Sequence, residues 1–266
     1  MGTSQSSPGS PPKVPLVPPW VPLPDDEDNT DEPTTPDAPP IVPLAPSGRF
    51  ASARRNLGDF ARSGSADSLR KGIGHYVRTG LGGTKTATAR MGRTAHTANN
   101  LYRALSGSGE LTVPGSLLDP IILLGKSAHE VIGAIVEAVQ PIDGTLDVEG
   151  SRESIRKALS DVLNRFPEAS LLSLSENQRE FAIECFVALD VYRRFQLDVG
   201  KSIQDNAPGG TALDRLREAR DYIRETVSAA FRKLKSDGQR IGAGHLVRMV
   251  RAALESAFRV FEVYIR

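Results

Sequence analysis

Arg78, Lys85, Arg90 and Arg93 lie close together in the sequence, with Arg103 ten residues further on, among threonines and glycines. Cations and hydroxyls at this density can meet phosphate oxygens, so the segment is a candidate nucleic-acid contact. It lacks the recognition helix or aromatic platform of the common modules, and a solvated face or a dock for an acidic protein remains the alternative. Gly80-Leu81-Gly82-Gly83-Thr84-Lys85-Thr86 has the composition of a phosphate loop. That chemistry needs glycine, lysine and a hydroxyl residue in succession, so that lysine and hydroxyl reach the phosphates and magnesium. Here Thr84 separates Gly83 from Lys85, and no strand pattern precedes the glycines. Ser68-x-x-Lys71 has the spacing of an acyl-enzyme pair but lacks the partner motifs of those enzymes. His75, His96, His129 and His245 show no ligand spacing, which leaves them capping or core roles. The one cysteine, Cys185, excludes an intramolecular disulfide and a cysteine-based metal cluster. It sits in an apolar segment, where a thiol is inert. The expectation is a protein that is not an enzyme and carries no metal or cofactor.

The elements that hold these residues are helical. Apolar spacing predicts helices over 50–62, 65–79 and 84–105 in a region rich in arginine and glycine. Ala87, Ala95 and Ala98 leave room for another backbone to approach closely. Asp119-Pro120 is an N-cap and first-turn pair, opening a helix expected to run to about Val139. A helix follows from about Asp147 to Arg165. Ser175-x-x-Gln178 is a capping box that starts a long helix, apolar on all sides from Phe181 to Phe195 and therefore central. After Pro208-Gly209-Gly210, helices are expected over 211–236, with Leu213 and Ile223 inward, and from Gly244 to the last residue. No alternating strand pattern is present. The fold class is all-α: a multi-helix bundle preceded by a disordered, proline-rich N-terminal tail.

The tail is marked by composition. Residues 1–48 hold fourteen of the nineteen prolines, seven acidic residues and one lysine. Such a run favours an extended, solvated chain with too little apolar surface to offset its ordering entropy. Residues 49–105 hold eleven Lys or Arg against two Asp, so a net charge of +1 over 266 residues conceals blocks of opposite sign. The division is a disordered acidic tail over 1–47, a basic helical region over 48–109 and a helical bundle over 110–266. Nothing in 1–47 is expected to pack on the helices. Trp20, the only tryptophan, is a candidate partner-binding anchor, against a passive spacer as the alternative. The most apolar stretch, 120–139, is interrupted by Lys126, His129 and Glu130, so no membrane span is expected and the chain reads as cytoplasmic.

Several blocks together resemble the QatB family of bacterial Qat anti-phage systems. They are Met1-Gly2-Thr3-Ser4, PLVPPW (15–20), the Gly48–Gly64 block, LRKGIGHYVRTGLGG (69–83), RMGRTA (90–95), PIDGT (141–145), RFP (165–167), the 188–205 block and DYIRETV (221–227). The resemblance implies a defence component without catalytic residues of its own. The implied partners are a P-loop ATPase, a QueC-like enzyme and a TatD-like nuclease. It also implies that Gly2, exposed once Met1 is removed, is the position where the QueC-like enzyme joins a 7-deazaguanine to the terminal amine. Met1-Gly2-x-x-x-Ser6 matches a myristoylation pattern as well, which a bacterial source argues against.

Overall fold

The computed structural model describes residues 13–19, 21, 44–107, 116–238 and 245–265. Those residues form an all-α structure with no strand; its sole sheet-like feature is an isolated antiparallel bridge between Pro15 and Leu44. The helices are α1 (Ala51–Ser63), α2 (Ala66–His75), α3 (Thr84–Arg90), α4 (Gly92–Leu105), α5 (Pro120–Leu123), α6 (Ala128–Val139), α7 (Leu146–Arg165), α8 (Glu176–Phe195), α9 (Lys201–Gln204), α10 (Gly209–Ser236) and α11 (Leu246–Val263). Two π-helical segments extend this set, Tyr76–Gly80 directly after α2 and Gln196–Gly200 directly after α8.

Caps explain where the chain departs from simple periodicity. The helix expected over 84–105 is broken at Met91, whose ψ of 13° leaves the helical range and divides α3 from α4. The helix expected from Pro120 to Val139 is likewise two. Gly125 adopts φ +77°, and Ser127 restarts the chain with a full capping box: its hydroxyl accepts from Glu130 N–H while the Glu130 carboxylate takes the Ser127 N–H at 2.9 Å. Those bonds hold the exposed Glu130 carboxyl down to about 2. The Ser175–Gln178 capping bond forms at 2.8 Å. Leu213 is a correction of another kind: it points outward and is 63% exposed.

The chain divides into two compact units. The first gathers Thr94–Arg194 and Arg220–Ala253. Its core is built on α8, where Ala182, Ile183, Cys185, Phe186, Val187 and Ala188 are all buried, as an all-round apolar helix requires. Three of its polar groups make paired contacts. Thr94 donates to the buried Asp190 carboxylate at 2.6 Å, and burial raises the pKa of that carboxyl. Arg152, 5% exposed, reaches Glu137 at 2.9 Å and the Gln140 carbonyl. Arg224 bridges Asp161 at 2.8 Å and the Cys185 sulfur at 3.2 Å.

The second unit gathers the described residues up to Arg93, with Phe195–Ala219 and the chain from Leu254 onward. Here the glycines that cost helix propensity are explained by contact. A Cβ on Gly74 would stand 2.7 Å from the Phe261 carbonyl oxygen, so only glycine lets α2 approach α11 this closely. Phe60, Ile73, Phe195, Phe258 and Phe261 fill the core.

Part of the presumed tail belongs to this unit. Leu16, Val17, Val21 and Ala45 are buried, at 4%, 9%, 7% and 3% exposure. The expectation that nothing in 1–47 packs on the helices is therefore corrected for these residues. The aliphatics between the prolines are too few for a periodic signal, yet they suffice to seat a short extended segment.

Candidate functional site

Residues 13–19 and 21 lie on the second unit as a strap. Lys13, held at φ +66°, donates its N–H to the Ala45 carbonyl at 2.9 Å, and Ala45 returns a bond to Val14 at 2.8 Å. Pro15 cannot donate, which limits the pairing with Leu44 to a single bridge. Val21 N–H closes a turn on the Pro18 carbonyl at 3.0 Å. Gly82, at φ +84°, faces Leu16 so closely that a Cβ there would stand 2.6 Å from its methyl carbon. Arg90 secures the strap by donating from Nη1 to the Leu16 carbonyl.

Beyond Leu44 the chain brings Arg49 and Phe50 onto the same unit. The Phe50 ring stacks on Tyr76 at 5.8 Å, and Tyr76 meets Phe195 edge-on at 5.4 Å. The Tyr76 hydroxyl donates to Asp198 Oδ2 at 2.9 Å, so one π segment is bonded to the other. A π turn inserts an extra residue into the helical ladder and re-aims the side chains on it, which is why such turns recur at functional positions. Two guanidiniums lie over the Phe50 ring, Arg49 at 4.8 Å and Arg54 at 5.8 Å. Arg54 also reaches the Asp198 carbonyl at 3.4 Å. Burial lowers the pKa of Arg49, and the charge on Arg90 lowers it further, against the opposing pull of Asp198 and Tyr76. This arrangement can hold an extended segment and can attract anions; it contains no paired acid and base poised for proton transfer.

The sequence-derived candidates are dispersed. Arg78 and Lys85 are exposed, whereas Arg90 is committed to the strap and Arg93 is half-buried. Gly2 and Trp20 lie outside the described residues. The glycine loop precedes α3 without a strand, and the Glu262 carboxylate accepts the Thr84 N–H at 3.0 Å, where a phosphate oxygen would otherwise sit. Lys71 is paired with Asp67 at 2.8 Å rather than with Ser68. Burial pushes the Cys185 thiol up to about 12, as an inert core thiol requires. His75 is lowered by burial, then by Arg78 and Arg55. Arg49, Arg54 and Asp198 were not singled out from sequence, because their association depends on α1 and the second π segment meeting in space.

A family model described as Qat anti-phage system associated protein QatB matches residues 82–261. The chain belongs to the QatB family. Membership makes it a component of the Qat anti-phage defence system. The match begins at Gly82 and ends in α11, so it includes Arg90 and Asp198 but not the strap, Phe50 or Tyr76. No curated protein and no solved structure matches the chain. No helix among the described residues is long and apolar enough to cross a membrane.

Proposed function

We propose that this QatB-family chain is a non-enzymatic defence component whose N-terminal arm is presented to a QueC-like enzyme, which joins a 7-deazaguanine to the α-amine of Gly2. A P-loop ATPase and a TatD-like nuclease are the further partners in this reading. The observation that carries it is the strap. Lys13 is fixed on the second unit by its bond to Ala45. Eleven peptide units separate it from Gly2. An extended chain spans at most about 3.3–3.6 Å per residue, so the amine has a radius of roughly 35–40 Å from its anchor. That length is enough to enter another protein's active site while the body stays docked outside it. The amine is also the right nucleophile. With a pKa near 7.7–8.0, roughly a quarter of it is neutral at pH 7.4, against about one lysine in a thousand. In this reading its nitrogen attacks an acyl carbon of the 7-deazaguanine that the QueC-like enzyme has activated as an adenylate; the bond to AMP breaks, AMP leaves with the bonding pair, and the nitrogen gives up a proton as the amide forms.

The test is the intact mass of the N-terminal peptide purified from cells carrying the whole locus and from cells lacking the QueC-like gene. The expected result is an added mass on Gly2 in the first case alone. An unmodified Gly2 in both would remove the modification and leave the arm as a docking peptide.

A second reading rests on Arg55, Arg78 and Lys85, which are exposed on the second unit. Arg55 and Arg78 both act on His75, placing at least two like charges at one point. Such a patch fits nucleic-acid phosphates, and a salt titration described below distinguishes it.

A further inference from the structure

Arg152 and Arg224 in the first unit each meet a carboxylate, at Glu137 and Asp161; Arg49 beside the strap has no such bond. Among the described residues, Arg49 is the one side chain that leaves two buried nitrogens, Nε and Nη1, without a hydrogen-bond partner. It shares the Phe50 ring with Arg54, whose Nη2 donates to a backbone carbonyl, that of Asp198. Arg90 likewise spends its charge on a carbonyl, that of Leu16. Asp198 is the carboxylate of this group, and Tyr76 already donates to its Oδ2. Arg49 and Arg90 are close enough for the charge on one to act on the other, so positive charge is gathered in a half-buried place. Like charges brought together out of water are costly unless a counter-charge neutralises them.

We propose that Arg49, assisted by Arg54 and Arg90, forms a binding site for a small doubly charged oxyanion of the phosphate class, seated between the Phe50 ring and the strap. A phosphate dianion or phosphate monoester answers gathered positive charge and accepts from several donors at once, which a carboxylate does less well. Arg49 is half-buried, so the site suits a small group rather than a duplex. Because Arg90 also holds Leu16, anion occupancy and strap docking share a residue, and bound anion should tighten the strap. The inference is independent of whether Gly2 is modified.

The experiment uses the full chain. Thermal melts are recorded against inorganic phosphate, against AMP and against sodium chloride at matched ionic strength. A ligand that binds only the folded state raises Tm in a saturable way. The expected result is a saturable rise with phosphate or AMP beyond the chloride series, with the apparent Kd weakened at least about tenfold in Arg49→Gln and partly recovered in Arg49→Lys. A response to both ligands at equal strength assigns the free anion; a tighter response to AMP assigns a nucleotide-borne phosphate. Arg232→Gln, far along the chain at an exposed ion pair with Glu225, should respond as wild type. If Arg49→Gln does not fold, broadening of the phosphate ³¹P resonance by wild-type protein, reversed by sulfate and weaker with Arg49→Lys, gives the same reading. A response no larger than chloride's overturns the proposal, and so does one that Arg49→Gln retains. Binding confined to single-stranded DNA and dependent on Arg78 and Lys85 instead of Arg49 also overturns it.

Discussion

Two sets of cations, one in each unit, are built in opposite ways. In the first unit, Arg152 is matched by Glu137, Arg224 by Asp161 and Lys235 by Glu180, so these three cations are neutralised where they stand. In the second, Arg90 and Arg54 bond to backbone carbonyls and Arg49 keeps two nitrogens unpaired. The difference separates a unit whose polar groups serve its own packing from one that holds attraction in reserve. A matched buried pair resists removal of one partner, whereas an unmatched cation can be removed at little cost. The comparison is therefore open to direct test.

The largest effect should come from Arg152→Ala. It strips a buried guanidinium from Glu137 and leaves the Gln140 carbonyl unpaired. Glu137 is 42% exposed and can recover water, which discounts the loss, so about 2–3 kcal/mol of unfolding free energy is expected in urea titrations. An unchanged midpoint would break the comparison, since it would show that the matched charges contribute no more than the unmatched ones.

Next in size is the strap. Leu16→Ala removes a side chain buried to 4%. Core leucine truncations cost about 2–5 kcal/mol. Here the loss is capped, because a strap that can detach forfeits no more than its own docking energy, itself reduced by the entropy of ordering an extended segment. A loss of about 1–2 kcal/mol is expected. Deleting residues 1–21 should lower Tm by an equal or slightly greater amount, with proteolytic cleavage near Val21 accelerated in Leu16→Ala. Full retention of the wild-type Tm after the deletion would show that the strap adds nothing to the second unit.

These expectations mark where sequence was sufficient. Apolar periodicity and the capping residues Ser175 and Pro208 placed α1, α7, α8, α10 and α11 closely, and the all-round apolar character of 181–195 identified the core helix. Local breaks were harder: Met91 and Gly125 interrupt helices that side-chain spacing alone would continue, because spacing is blind to a backbone ψ. The strap was hidden by its own composition. Prolines at 15, 18 and 19 signal a chain without periodic pairing, and three aliphatics among them give no period to detect. The cation cluster was illegible for a different reason. Arg49 and Asp198 are 149 positions apart in the chain, and only the pairing of the two π segments brings them together. The family match, which begins at Gly82, covers one side of that cluster and omits the other.

A smaller effect concerns Cys185 in the first unit. Its thiol is raised from 9.0 to about 12, chiefly by burial and despite the neighbouring Arg224. The folded state thus favours the protonated form. Stability from this group is fully present below the unfolded pKa near 9 and is lost as pH rises toward the folded value. One proton per molecule corresponds to about 1.4 kcal/mol per pH unit within that window. Between pH 9 and 10 the wild type should lose close to 1 kcal/mol more than Cys185→Ala does, read from denaturant midpoints at each pH. At pH 8 the folded thiol should resist alkylation for as long as the chain stays folded. Rapid alkylation of the native protein at pH 8 would show that the thiolate is accessible and that the first unit opens locally.

The smallest effect tests what the exposed cations of the second unit do. Each phosphate neutralised on duplex DNA contributes about −0.9 to the slope of log affinity against log salt. Arg78 and Lys85 are exposed, so replacing both with alanine should flatten the slope by close to two if they contact nucleic acid, while Tm changes by less than about 0.5 kcal/mol equivalent, as for surface sites generally. Arg90→Ala separates the two uses of positive charge in this unit. Its guanidinium is spent on the Leu16 carbonyl, so its loss should loosen the strap and leave the salt slope unchanged. If the slope instead falls by about one with Arg90→Ala, the residue reaches phosphate at the expense of the strap, and the basic segment is a single nucleic-acid surface. If no salt-dependent binding to single- or double-stranded nucleic acid is found, Arg55, Arg78 and Lys85 are a docking face for an acidic protein, and the small-anion site at Arg49 is separate from it.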